Sequence, residues 1–332
     1  MAETYPWSWY SDPDVLALER ERIFRPAWHY VCHVGRVAEP SSYVASGSGV
    51  MLAVVVRDRE GELRAFLNVC RHRGSELVSG DGRRETIQCP YHAWTYGLDG
   101  ELRTAPRADR EAGFDASGLS LVPLRLETWG PFLFVNGDQG APPLAAALDG
   151  LVLPFDPASL VFHERAGYAL EANWKIAVEN YLECYHCQVA HPGFSQLVDV
   201  DPDSYVLEGD GPRWSQYGRA RAGDGRCEFH LVWPALKVNV YPGFTNLSIG
   251  PIWPESAGRT VGFLDYFFGS DVDPAAAREL IEFDDQVGRE DTALVESVQR
   301  GVASGLVERG RLLPESERLI AGFQRKVAQA LT

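Results

Sequence analysis

No apolar run in this sequence reaches the roughly 18 residues that a membrane-spanning helix needs. The opening MAETYPWSWYSDP has no basic start followed by an apolar stretch, so neither a span nor a secretory leader is expected, and the protein reads as cytoplasmic. Basic charge is also scarce. Lys and Arg number 31 against 46 Asp and Glu, a net charge of −15, which disfavours a nucleic-acid partner, since those reward dense cations. Six cysteines in 332 residues are too few for a disulfide scaffold, and clustered with His in a reducing compartment they point to metal. There is no internal repeat and no low-complexity tract. No G-x-G-x-x-G stands before a plausible helix, so a nicotinamide or flavin site is not expected and electrons must come from another protein.

What is present is an ordinary globular composition, 45% apolar with nine Trp and thirteen Tyr, in a chain long enough for two cores. SDPDVLALERERIF, residues 11–24, opens with Ser11 and Asp12 ahead of Pro13, which is a helix start. From about 42 to 136 short strands such as VMLAVVV and LRAFLNV alternate with turn-rich pieces such as SGDG and GLDG, predicting a small all-β unit. DQGAPPLAAALDG closes it. Beyond lie a helical stretch near 173–190, β-like segments between about 203 and 269, and a long helix from about 274 to 304.

The β unit holds two Cys–His pairs, Cys70-Arg-His72 and Cys89-Pro-Tyr-His92. Such a set could hold tetrahedral zinc, or a [2Fe–2S] cluster in which two His replace two Cys on one iron. Zinc more often uses a C-x₂₋₄-C knuckle. Here each loop gives one ligand of each type, so both thiolates can reach one iron and both imidazoles the other, which favours the cluster. Gly74, Pro90 and Gly97 permit tight loops whose N–H groups can face sulfur, and Trp94 can shield one side.

CRHRG followed by CPYHAWTYGLDG resembles the Rieske motif of the Rieske non-heme iron oxygenases, and ANWKIAVENYLECYHCQVAHP, residues 172–192, resembles that family's second signature. One departure is Ala93, where Gly is commoner. The resemblance implies an α+β chain: a small all-β Rieske [2Fe–2S] domain over residues 41–145, and a helix-grip type catalytic domain of antiparallel sheet flanked by helices over 146–332. Residues 1–40 form an N-terminal helical segment expected to pack on the catalytic domain.

The implied second site is mononuclear iron. Two imidazoles and a carboxylate on one face of Fe(II) leave positions open for O₂. His186 and His191 stand five apart, about 140° around a regular helix, so the helix must break, and Pro192 supplies the reason by pushing His191 out of helical geometry. For the carboxylate, Leu280, Phe283, Val287, Asp291, Leu294, Val298 and Val302 advance by threes and fours and set Asp291 on a buried stripe. Asp284, Asp285 and Glu290 fall off it and read as solvated charge. REDTALVESVQRG also resembles the family's C-terminal signature, in which this Asp binds iron. By the same resemblance Glu183 is the bridge that carries electrons from a neighbouring subunit's cluster to the iron, in a place where most members have Asp, and Asn180 lies near the iron. Cys184 and Cys187 are expected to pack as small buried groups rather than to act as a thiol pair.

The resemblance further implies an oxygenase using O₂, a small-molecule substrate, a separate NAD(P)H-dependent reductase with or without a ferredoxin, and a homotrimer. The glutamate bridge resembles the branch that oxidises carbon beside a quaternary nitrogen, as in choline, carnitine and glycine betaine monooxygenases and stachydrine demethylase. Trp214, Trp233, Tyr241, Phe244, Trp253, Tyr266 and Phe267 are candidates for a cation–π box, most of them expected to be core. The alternatives are an oxygenase acting on an aromatic acid, by ring hydroxylation or O-demethylation, and a Rieske electron carrier with no oxygenase activity.

Overall fold

The computed structural model describes residues 2–48, 50–209 and 211–332. The chain forms two compact units: one joins the residues up to Phe24 with Ala145–Thr332, and the other is Arg25–Leu144. Among the described residues no helix is long and apolar enough to cross a membrane.

The first unit is built on a seven-stranded sheet of β1 (Leu160–Leu170), β2 (Val206–Glu208), β3 (Arg213–Arg219), β4 (Arg226–Val232), β5 (Leu236–Val240), β6 (Asn246–Ser256) and β7 (Arg259–Gly269). The spatial order is β1-β7-β6-β5-β4-β3-β2, with every neighbouring pair antiparallel. Directly opposed residues share a face, so the cross-strand row Gln216, Phe229, Asn239, Ser248 and Tyr266 defines one side of the sheet. Lys237 lies on that side too, two residues from Asn239 along β5.

The helices start where their caps dictate. Asp12 accepts from the Asp14 N–H ahead of α1 (Pro13–Glu19), which runs on into a π turn over Arg20–Phe24. Asn173 caps α2 (Trp174–Tyr181) through the Lys175 N–H. The stretch expected as one helix to 190 is broken: α3 (Cys187–Ala190) and α4 (Pro192–Leu197) follow as separate short turns. Asp273 and Pro274 open α5 (Pro274–Val302), and α6 (Arg318–Leu331) ends the chain. Along α5 the buried stripe departs from the expected one. Leu294 and Val298 are exposed and Val295 and Gln299 beside them are buried instead, while Val302 is buried as expected.

The second unit is all β. It holds a four-stranded sheet of Ser42–Ser48, Met51–Arg57, Leu63–Leu67 and Asp81–Arg83, and a three-stranded one of Ile87–Gln88, Thr95–Tyr96 and Leu102–Thr104. A third sheet pairs Phe132–Asn136 with both Arg125–Trp129 and His29–His33. That last pairing corrects the expected boundary at residue 40. Val31, Cys32 and Val37 lie in one core with Val44, Val55 and Leu133, so residues 25–40 belong to the β unit. Its two ends lie together: the Asn136 amide donates to the Pro26 carbonyl and the Trp28 indole to that of Pro142, each at 3.0 Å.

Candidate metal centres and the adjoining cavity

In the β unit the two loops expected to hold a cluster converge. Cys70 and Cys89 are buried at 3% and 2% exposure, while His72 and His92 are exposed with ring centroids 4.7 Å apart. Thiols inside and imidazoles outside is the arrangement a two-iron cluster with split ligation requires. Burial works against ionisation of Cys89, yet the backbone N–H groups of Tyr91 and His92, with hydrogen bonds from Cys70 and Ser75, outweigh it and hold the thiol below its ordinary value. Tyr96 places its hydroxyl 3.4 Å from the Cys70 sulfur and accepts from the Arg71 N–H. Trp94 stacks flat on His72 at 4.8 Å. The donor set and its N–H surroundings therefore fit the cluster.

In the larger unit His186, His191 and Asp291 each offer a ligand atom within 4.8 Å of the others. Between α3 and α4 His191 has φ −121° and ψ 72°, outside helical geometry, and its ring swings back so that its Nε2 lies 3.2 Å from that of His186. Asp291 Oδ1 stands 3.0 Å from His191 Nε2 and 3.4 Å from His186 Nε2. Both Nδ1 atoms face away toward carboxylates. Glu183 takes that of His186, and Glu290 takes that of His191 at 2.7 Å. Metal-ligating imidazoles are ordinarily held in this way, one nitrogen free for metal and the other on a carboxylate. Burial opposes protonation of His186, but Asp291 and Glu183 overcome it and push its pKa up to about 9. Burial likewise opposes ionisation of Asp291, and the two imidazoles with the Asn180 side chain hold it well below the usual carboxylate range. Charge and geometry both fit a divalent cation in place of those protons.

Three sequence expectations need correcting here. Glu290 is not solvated charge but the partner of His191. Nor is Asp284: one oxygen accepts from the Tyr241 hydroxyl and the other from that of Tyr266, both at 2.6 Å. Only Asp285, ion-paired with Arg289, stays at the surface. Cys184 and Cys187 are buried as expected, but they are joined by a disulfide, with their Cα atoms 5.0 Å apart.

A cavity of about 370 Å³ opens beside the triad. Its lining includes Asn180, Glu183, Phe229, Tyr241, Tyr266 and Asp284. Of the seven aromatics considered, Tyr241 and Tyr266 reach it; Trp214, Trp253 and Phe267 are core, and Trp233 and Phe244 are partly exposed and do not line it. Lys237 also lines it. Sequence reasoning missed this residue, although a lone Lys among alternating apolar residues of β5 was the available signal.

The Rieske [2Fe-2S] domain family matches residues 27–126, and the ring hydroxylating alpha subunit (catalytic domain) family matches residues 157–227 and 216–332. The carnitine monooxygenase oxygenase subunit of Acinetobacter baumannii is 37% identical, over 99% of this chain and 95% of its own. The chloroplastic choline monooxygenase of Spinacia oleracea is 34% identical, over 99% of this chain and 79% of its own. A crystal structure of the quaternary ammonium Rieske monooxygenase CntA in complex with L-carnitine superimposes with a TM-score of 0.86 at 36% identity, covering 100% of this chain and 96% of that one. With cluster loops in one unit and a two-histidine, one-carboxylate site in the other, the chain belongs to the Rieske non-heme iron oxygenases as a catalytic alpha subunit, in the branch of the carnitine and choline monooxygenases.

Proposed function

We propose that this subunit uses O₂ and reductase-derived electrons to hydroxylate a carbon beside a quaternary nitrogen, so that the product either keeps its hydroxyl or breaks at the C–N bond. The observation that carries the reading is the convergence of His186, His191 and Asp291 at a cavity with aromatic and carboxylate walls, in a chain whose full-length relatives are named for quaternary ammonium compounds.

Cys70 and Cys89 would hold one iron of the cluster and His72 and His92 the other, while His186, His191 and Asp291 would hold the mononuclear iron. When bound, the cluster supplies single electrons and the ferrous ion supplies O₂ activation. The residues of the chain do the rest. Glu183 and Glu290 fix the imidazole rings through Nδ1, and Asn180 orients Asp291. Tyr241, Tyr266 and Phe229 keep the reacting carbon in an apolar, water-poor space. The electron donor is a separate NAD(P)H-dependent reductase, and the subunits form a head-to-tail trimer in which Glu183 also meets a cluster imidazole of the neighbour.

The test is coupled turnover with a surrogate reductase and a panel of quaternary amines and aromatic acids, with products identified by mass. Oxidation of a quaternary amine is expected, and oxidation of aromatic acids alone would overturn the reading. Asp291→Ala should lower iron from three to two per chain and abolish turnover while the cluster's visible absorption stays. Loss of that absorption instead would refute the separation of the two ligand sets.

A further inference from the structure

Lys237 puts an ammonium group into the wall of the cavity with nothing to answer it. Among the described residues its Nζ has no hydrogen-bond or ion-pair partner; its neighbours are the faces of Tyr168 at 4.7 Å and Tyr181 at 5.9 Å. Those rings are fixed in place. Tyr168 donates to the Pro251 carbonyl at 2.9 Å, and Tyr181 donates to the Asn239 side chain. Asp284 and Asp291 are near enough to act on Lys237 through space, but neither pairs with it, and both Asp284 oxygens are taken by Tyr241 and Tyr266. The other cation in the lining, Arg289, is bound to Asp285 and Gln286. Burial holds the Lys237 amine below its ordinary value, and an anion set against it would reverse that cost.

An unpaired cation in the cavity wall is a poor neighbour for a substrate that carries only positive charge. It also occupies the Tyr168 and Tyr181 faces that could otherwise receive a quaternary ammonium. Resting on the functional reading above, we propose that Lys237 anchors the carboxylate of a zwitterionic quaternary ammonium substrate, a betaine, and so selects betaines over choline-type cations. The cationic end then lies toward Asp284 and Asp291, where the carboxylates are, and the carbon beside the nitrogen is turned toward the iron ligands. Lys237 itself belongs to neither ligand set, so its substitution tests selectivity separately from iron binding.

The experiment is anaerobic calorimetric titration of the holoenzyme with L-carnitine, L-carnitine methyl ester, choline and benzoate. The ester removes the anionic charge and adds only a methyl group, and choline lacks the carboxylate altogether, so the wild-type protein alone tests the idea. Carnitine should bind about ten- to a hundredfold more tightly than its ester or choline, the size of a hydrogen bond to a charged group. In Lys237→Met, with cluster absorption intact as the check on folding, carnitine should fall to the level of choline, and choline should bind as well as before or better. Equal affinity of the wild type for carnitine and its ester, or a preference for carnitine that survives in Lys237→Met, would overturn the assignment of Lys237. Binding of benzoate with no binding of any quaternary compound would instead overturn the functional reading on which the assignment rests.

Discussion

Ala93 follows His92 with φ +56°. That is the left-handed region, where a Cβ costs roughly 1–2 kcal/mol, so the family's preference for glycine there has a backbone cause. Ala93→Gly should remove the strain and stabilise the fold by at most about 1 kcal/mol once the greater freedom of glycine in the unfolded chain is offset, read as a higher thermal midpoint followed by cluster absorption. A lower midpoint would show that the neighbours of Ala93 hold the turn for other reasons. At this scale the sequence was legible where chemistry repeats a spacing. Cys70, His72, Cys89 and His92 stand out by their spacing alone, and so does the break at His191, because Pro192 forbids a regular helix there. Glu290 and Asp284 were not legible. Their partners, His191 and the two tyrosines Tyr241 and Tyr266, come from distant parts of the chain, and no local pattern marks a carboxylate that will be met from across a fold.

Among the elements, α1 and α2 are tied by a buried pair. Lys175 and Glu19 are both fully buried; the Lys175 ammonium donates to one Glu19 oxygen and the Trp174 indole to the other at 2.7 Å. Burial depresses the Lys175 pKa, and Glu19 works against that depression. Removing one charge leaves the other uncompensated, so Glu19→Gln should cost about 3–5 kcal/mol, and adding Lys175→Met should restore much of it. Equal stability of Glu19→Gln and wild type in urea unfolding would show that the pair carries no such weight. The Asn-Trp-Lys text thus has a structural reading: cap, indole donor and buried cation in three consecutive residues. Element types were readable from periodicity, whereas the face of α5 was not. Leu294 and Val298 keep the spacing of the stripe yet are exposed, while Val295 and Gln299 are buried, because which face is covered depends on what packs against the helix and not on the helix's own text.

For the whole molecule, the trimer proposal puts Glu183 on the electron path. Its carboxylate already holds His186 Nδ1 and the Tyr185 N–H. Glu183→Gln should leave both metals bound while the prereduced cluster is no longer oxidised in a single turnover with O₂ and substrate; wild-type rates would remove Glu183 from the path. The two-unit plan was readable from the switch between strand-rich and helix-rich text. The first boundary was not, because the strand His29–His33 finds its partner, Phe132–Asn136, only at the far end of its unit. That placement makes the β unit a continuous insert within a discontinuous parent. The consequence concerns birth order on the ribosome. Glu19 emerges 156 residues before Lys175, an interval of about 8–30 s at ordinary elongation rates, and the entire insert, Arg25–Leu144, is synthesised within it. The nascent chain can therefore complete its iron–sulfur unit while α1 still waits for the half of the protein that will bury it.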